Sequence, residues 1–305
     1  MRIAALVVAL ALCAVPAWPQ SGSATLAVVQ LSGTNATVTS FGGIARDATA
    51  STRLLDRDAI ATGLNGSATI ASSSGWSVEL GSSTRATLRT EPVAGGASPI
   101  FAHVLDLAEG SLKASVARGA TAWLRTSVGM VTAQDAAKFT ISYVNGTISV
   151  LTEHGEVTIE AGKRTYVKLK TGEQVDIGFD PVNNVFFCEV NNDAGRPIEF
   201  VIGNTVIRAN KGDKFQTKVE NKHADVRVLE GDVDVTGPDK RTLRVSKGQS
   251  EVIVNGGIGA VGGPAGSHKR ARTGYDSDVY TYAPWPMPPW DPRDIWYTRQ
   301  DISPS

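Results

Sequence analysis

Two segments of this chain match each other at a fixed offset of 76 residues, with no gap. "VTAQDAAKFTISYVNGTISVLTEHGEVTI" begins at Val131, and "IRANKGDKFQTKVENKHADVRVLEGDVDV" begins at Ile207. Lys138-Phe139 aligns with Lys214-Phe215, Gly155 with Gly231, Val157 with Val233 and Gly172 with Gly248. A shorter echo, "DLAEGSLKASV", spans 106–116, so the step Glu/His-Gly-x-apolar occurs three times. Each copy reads as a strand, a turn carrying the glycine, and a second strand. Units of this kind bury a continuous core by stacking, which no single unit could bury alone.

The residues between these landmarks are strand formers. Short runs alternate apolar with polar, and Gly, Asn-Gly or Asp punctuates them about every ten residues, as in an all-β sandwich, barrel or solenoid. Residues 99–109, "PIFAHVLDLAE", fit a helix or a strand equally. The expected fold is an all-β, repeated-strand β-sandwich or solenoid-like domain with a duplicated second β unit and an extended tail. Its divisions are a signal peptide at 1–24, a first β domain at 25–180, a second unit at 181–255 that repeats 125–178, and a linker and tail at 256–305.

Both ends differ from this middle. The N-terminus has Arg2, an apolar run from Ile3 to about Ala14, and small residues after it: a secretory signal peptide. The run is too short to span a bilayer comfortably, so no transmembrane span is expected after its removal. Cleavage fits Val15-Pro16-Ala17 or Gly22-Ser23-Ala24, and Cys13 offers lipidation as the alternative. At the other end, "GGIGAVGGPAG" (256–266) is a linker by composition. Six of the 14 prolines and three of the six tryptophans lie in the last 22 residues. Such proline density favours an extended path outside any sheet. Trp285, Trp290, Trp296 and Tyr297 are therefore the candidate partner-binding residues.

The stretch "LLDRDAIATGLNGSATIASSSGWSVELGSSTRATL" (54–88) resembles the periplasmic FecR-like domain family through Ile60, Thr62, Gly63, Gly75, Leu80 and Gly81. The resemblance continues through "LDLAEGSLKASV" (105–116) and 122–159 and covers roughly 27–178. "DAAKFTI" stands where the family has a Gly-Thr step, and a cleavable signal stands where signalling members carry a cytoplasmic segment and a membrane helix. The resemblance implies an exported, β-rich domain and sets it apart from the transmembrane anti-sigma role. The expected function is a non-enzymatic binding module in envelope sensing or assembly, in the periplasm or on the outer surface, with an envelope protein or polysaccharide as partner.

Motifs for chemistry are sparse. Lys+Arg and Asp+Glu are both 30, which gives no bias toward nucleic acid. "GIGAVG" (257–262) has the dinucleotide glycine pattern, but Gly263-Pro264 follows where the pyrophosphate needs a helix N-terminus. His103, His154, His223 and His268 form no metal-binding pair, and no Gly-x-Ser-x-Gly occurs. "HKRAR" (268–272) is a short basic run that reads as a solubilising linker flank, with contact to an anionic membrane surface or cell-wall polymer as the alternative. Cys188, the one cysteine beyond the leader, lies in an apolar run and reads as a buried small hydrophobe. Glu230, Asp232 and Asp234 in "VLEGDVDVTG" (228–237) would share one face of a strand, which raises a metal or acid/base site. The copies at 154–158 and 109–113 do not preserve those acids, so a solvated face is the expectation. Catalytic residues, cofactor and metal are all expected to be none. A structural envelope scaffold and a carbohydrate-active enzyme are the alternative functions.

Overall fold

The computed structural model describes residues 26–32, 35–49, 52–93, 100–161, 165–180, 182–183, 185–191, 195–220, 223–254 and 257–258. Among them there are strands and turns and no helix; 99–109 falls almost wholly in a strand. In chain order, β1 is Leu26–Ser32, β2 Ala36–Thr39, β3 Ala45–Asp47, β4 Ala59–Thr62 and β5 Ser67–Ser72. Then come β6 Trp76–Leu80, β7 Arg85–Val93, β8 Ile100–Val116, β9 Thr121–Arg125, β10 Gly129–Val144 and β11 Thr147–Ala161. The next are β12 Thr165–Lys170, β13 Gln174–Asp180, β14 Val185–Val190, β15 Ile198–Ile202 and β16 Thr205–Ala209. The last are β17 Lys214–Glu220, β18 His223–Glu230, β19 Asp232–Thr236, β20 Thr242–Ser246, β21 Ser250–Val254 and β22 Gly257–Ile258.

Hydrogen bonding joins these strands into one mixed sheet that does not close into a barrel. The pairing follows two paths. Layer A runs β3, β2, β4, β7, first half of β8, β9, first half of β10, second half of β11, β12, β15, β16, β19, β20. Layer B runs β1, β5, β6, second half of β8, second half of β10, first half of β11, β13, β14, β17, β18, β21, β22. Alternate residues of both layers point inward and form a single buried cluster from Val38 to Val245. That burial on one face, with polar residues on the other, is the signature of a two-layer sandwich.

The strands longest in sequence are the ones that change layer. The sequence reading expected a turn at each Glu/His-Gly step. At Gly110 and Gly155 the chain instead bends inside a continuous strand, and at Gly231 it bends across a one-residue break. All three glycines have positive φ, 97°, 82° and 75°. Gly231 also lacks room for a side chain: a Cβ there would sit 1.8 Å from Asp213 Oδ1. The apolar residues just beyond these bends, Leu112, Val157 and Val233, are buried. In β10 the layer change is a bulge, with Asp135 and Ala136 at φ 51° and 56°. Ala136 stands 76 residues before Gly212, whose φ is 87°, so the repeat keeps the left-handed conformation where it does not keep the glycine.

From β9 onward the chain lays down hairpins in strict alternation: β9–β10 in layer A, β10–β11 in layer B, β11–β12 in A, β13–β14 in B, β15–β16 in A, β17–β18 in B, β19–β20 in A and β21–β22 in B. Residues 76 apart occupy equivalent places, and a shorter period lies inside that one. Thr152, Val190 and Val228 fall 38 residues apart, and each exchanges the same pair of backbone bonds, one accepted and one donated, with the turn that opens the next layer-B strand. Gly172 N–H donates to Thr152 O (2.7 Å) and Thr152 N–H to Glu173 O (3.0 Å). Gly212, Val190 and Asp213 repeat the arrangement, as do Gly248, Val228 and Gln249. One unit is thus two hairpins, one per layer.

Those turns share a further device. The fourth residue's side chain accepts a hydrogen bond from the first residue's N–H: Glu173 from Lys170 (2.6 Å), Asp213 from Asn210 (2.7 Å), Gln249 from Ser246 (2.9 Å) and, before β4, Asp58 from Leu55 (3.0 Å). The third residue has positive φ in each: Gly172, Gly212, Gly248 and Arg57. Asp58, Glu173 and Asp213 are buried, so their carboxylates satisfy backbone donors that water cannot reach. Asp213 Oδ1 also accepts from Asp232 N–H (3.2 Å), tying the turn to the Gly231 bend.

Two substitutions test this description by urea denaturation. Asp213→Ala strands two backbone donors and is expected to cost about 2–3 kcal/mol. Thr152 carries a buried hydroxyl with no hydrogen-bond partner, where the equivalent positions hold Val190 and Val228. Thr152→Val is therefore expected to stabilise the protein by about 1 kcal/mol.

Candidate functional site

The three acids of "VLEGDVDVTG" do not converge. The bend at Gly231 leaves Glu230 at the end of β18 in layer B and places Asp232 and Asp234 on β19 in layer A. Two of them are ion-paired, each to a cation of its own layer. Glu230 and Glu189 both lie 3.3 Å from Lys214 Nζ. Asp232 accepts a 3.0 Å bond from Arg244, and Asp234 stands opposite Arg208 on one side and Arg244 on the other. Hydrogen bonds from Ser246 and Arg244 hold the Asp232 carboxyl below the usual carboxylate range. Desolvation works against the Lys214 charge, but Glu189 and Glu230 outweigh it and raise its pKa. Among the described residues no group of three or more His, Cys, Asp and Glu is placed to hold a metal ion.

The densest polar cluster lies elsewhere, on the outward face of β7, β8 and β9. The Arg125 guanidinium grips Glu91 with two hydrogen bonds, Nη1 to Oε1 at 2.9 Å and Nη2 to Oε2. Its Nε lies 3.7 Å from Asp106 Oδ1, and Arg89 Nε binds Asp106 Oδ2. Thr90 and His103 are hydrogen-bonded beside them (3.3 Å). The Arg125 hydrogen bonds hold Glu91 below the ordinary carboxylate range and in turn raise Arg125. A carboxyl held low stays ionised near neutrality and has no proton to give. The cluster sits where β9 runs parallel to β8, with Asp106 opposite Arg125. Every other strand pair is antiparallel among the described residues. The cross-strand charges thus fasten the junction at which β8 enters layer B alone instead of as a hairpin.

The feature most suited to recognition is apolar and lies at the layer-A edge nearest the N-terminus. Phe41 and Ile44, in the β2–β3 turn, are 71% and 74% exposed, and Leu55, in the turn before β4, is 59% exposed. The Arg57 guanidinium lies 4.9 Å over the Phe41 ring, and Arg46 lies 4.0 Å from Asp58. Large apolar side chains flanked by cations form a surface that water covers poorly. Sequence reading passed over this turn because "SFGGI" has the composition of a loop; only the fold shows that Phe41 and Ile44 stay largely exposed, with the Arg57 guanidinium over the Phe41 ring. Cys188 is buried at the position held by Val150 and Val226 in neighbouring units, and burial pushes its thiol far above the usual range. Trp285, Trp290, Trp296 and Tyr297 lie outside the described residues, as do the leader and the basic run at 268–272.

No family model and no curated protein matches the chain. Among solved structures, it is similar to two crystal structures of "a putative anti-sigma factor" from Parabacteroides distasonis. The identities are 18% and 19% and the TM-scores 0.32 and 0.31. Each match covers 39% of this chain and 54% of the other, so it spans about half of those proteins.

The Glu91–Arg125 pair predicts a pH dependence. Because Glu91's folded-state pKa is depressed, the pair's contribution is present above the unfolded value near 4.5 and is lost as pH falls through the folded value. Thermal melts of wild type and Glu91→Gln are expected to differ by about 0.5 kcal/mol at neutral pH, the scale of a partly exposed pair. They should converge in strong acid.

Proposed function

We propose that this chain is an exported, non-enzymatic FecR-like binding module of the cell envelope, in the periplasm or on the outer surface, whose partner is an envelope protein or polysaccharide. The carrying observation is the exposed Phe41, Ile44 and Leu55 beside Arg46 and Arg57, on an edge of the two-layer sheet. The leader-like N-terminus and the FecR-like sequence pattern support the compartment and the family. The outer faces carry Glu91 paired with Arg125 and Asp232 paired with Arg244, a charged surface suited to polar recognition. No membrane span, nucleic acid or cofactor belongs to this reading.

A photo-crosslinking residue placed at position 41 in cells tests it, with position 160, exposed on β11, as the control. Crosslinked partner is expected in the envelope fraction from position 41 alone, and lost with Ile44→Glu and Leu55→Glu. Equal crosslinking from both positions, or protein confined to the cytosol, would overturn the reading. An adduct of twice the chain's own mass would favour the scaffold alternative.

A further inference from the structure

The face of an antiparallel sheet that meets water is ordinarily polar. The outward face of layer A departs from this between β12 and β19. Tyr166 of β12 stands opposite Val201 of β15, Val201 opposite Val206 of β16, and Val206 opposite Thr236 of β19. These four residues form one straight cross-strand row. Each alternates along its strand with buried core residues, so each points away from the core, and each is partly exposed.

A row of charges runs beside it, two residues along the same strands. Glu199, Arg208, Asp234 and Arg244 stand opposite one another in turn across β15, β16, β19 and β20. Lys168 of β12 is level with Glu199 by the register that pairs Tyr166 with Val201. From β12 to β19 the row therefore reads cation, anion, cation, anion, and all four side chains are exposed. Glu199 and Arg208 bond each other at 2.8 Å and still leave about half of each side chain open to solvent. The two rows share a centre. The line between β15 and β16 passes between Val201 and Val206 in one row and between Glu199 and Arg208 in the other.

We propose that the outward face of β12, β15, β16 and β19 joins two copies of this chain, face to face, about a two-fold axis that runs along that line. A half-turn about such an axis exchanges β15 with β16 and β12 with β19. It lays Val201 on Val206 of the second copy and Tyr166 on Thr236. It also sets Glu199 against Arg208 and Lys168 against Asp234, so each of the four charges meets its opposite. The four charges sum to zero, which suits a second copy better than a strongly acidic or basic polymer. Facing sheets lie about 10 Å apart and about 30° off parallel, offsets that the long side chains of Lys168 and Arg208 can span. Four strands about 4.8 Å apart make a small face, so the dimer is reversible and not permanent. The contact is separate from the partner-binding reading, which concerns the Phe41 edge and a different molecule, so either can fail alone.

Sedimentation equilibrium on the full chain tests it. Wild type is expected to form a concentration-dependent dimer. Glu199→Arg leaves only cations at the centre of the row, and Arg208→Glu leaves only anions. Each variant alone then repels its own copy and should dimerise at least about tenfold more weakly. An equal mixture of the two brings cation to anion across the axis and should restore the dimer, with one copy of each. Lys168→Glu mixed with Asp234→Lys makes a second, independent pair with the same expected pattern. A wild type that stays monomeric to about 1 mM would overturn the proposal. So would variants that dimerise like wild type, or mixtures of both pairs that dimerise no better than their components. Retention of a monomeric wild type on an insoluble polysaccharide, lost with Tyr166→Ala, would also overturn it and assign the face to that polymer.

Discussion

The structure depends on a four-residue turn that opens strands in a left-handed conformation. Its third residue needs positive φ, and its fourth supplies a side-chain acceptor for the first residue's N–H. In the turns that open β13, β17 and β21, the geometry does two things together. It carries the chain from one layer to the other, and it starts the ladder with the neighbouring strand. A turn that did only the first would leave backbone donors unpaired beside the core, at a cost of the order of a hydrogen bond each. The buried carboxylates of Glu173 and Asp213 are thus structural, though buried acids are the usual mark of an active site.

Much of the architecture could be read from Lys138-Phe139 and Lys214-Phe215, and from Gly155 and Gly231, because positive φ at a crowded bend restricts a position almost to glycine. The half-period could not. The sequence spacing between β14 and β15 is longer than that between β18 and β19, and the turn's acceptor varies from Glu173 to Asp213 to Gln249. Hydrogen bonding tolerates that variation, so sequence identity does not record it. The parallel pairing of β8 with β9 was equally silent, since apolar alternation is the same for either strand direction. At the candidate surface, Phe41 and Ile44 were invisible for a different reason. Their significance is that the described residues leave them largely exposed, which is a property of the whole fold and not of five residues.

The acids that first suggested chemistry serve register. A one-residue slip of β19 would move Val233 and Val235 out of the core and pull Asp234 away from Arg208 and Arg244. The apolar face alone would allow slips of two residues; the charge row penalises the slip that brings Thr236 opposite Arg208 and Arg244, where an uncharged hydroxyl would replace the carboxylate of Asp234. The same logic holds at β7–β9, where Glu91, Arg125 and Asp106 fix an exceptional strand direction that the core pattern does not specify.

The alternation of hairpins also bears on how such a molecule changes size. Each unit of two hairpins restores the chain to the same layer, heading the same way, with the same turn ahead of it. Duplicating or removing one whole unit after β9 would lengthen or shorten the body while leaving both ends and every remaining contact type in place. A single hairpin gained or lost would instead set the next turn against the wrong layer. The distance between the Phe41 edge and the β20 edge is therefore a quantity that evolution, or an engineer, could adjust in fixed increments, as one sets the span of a strut.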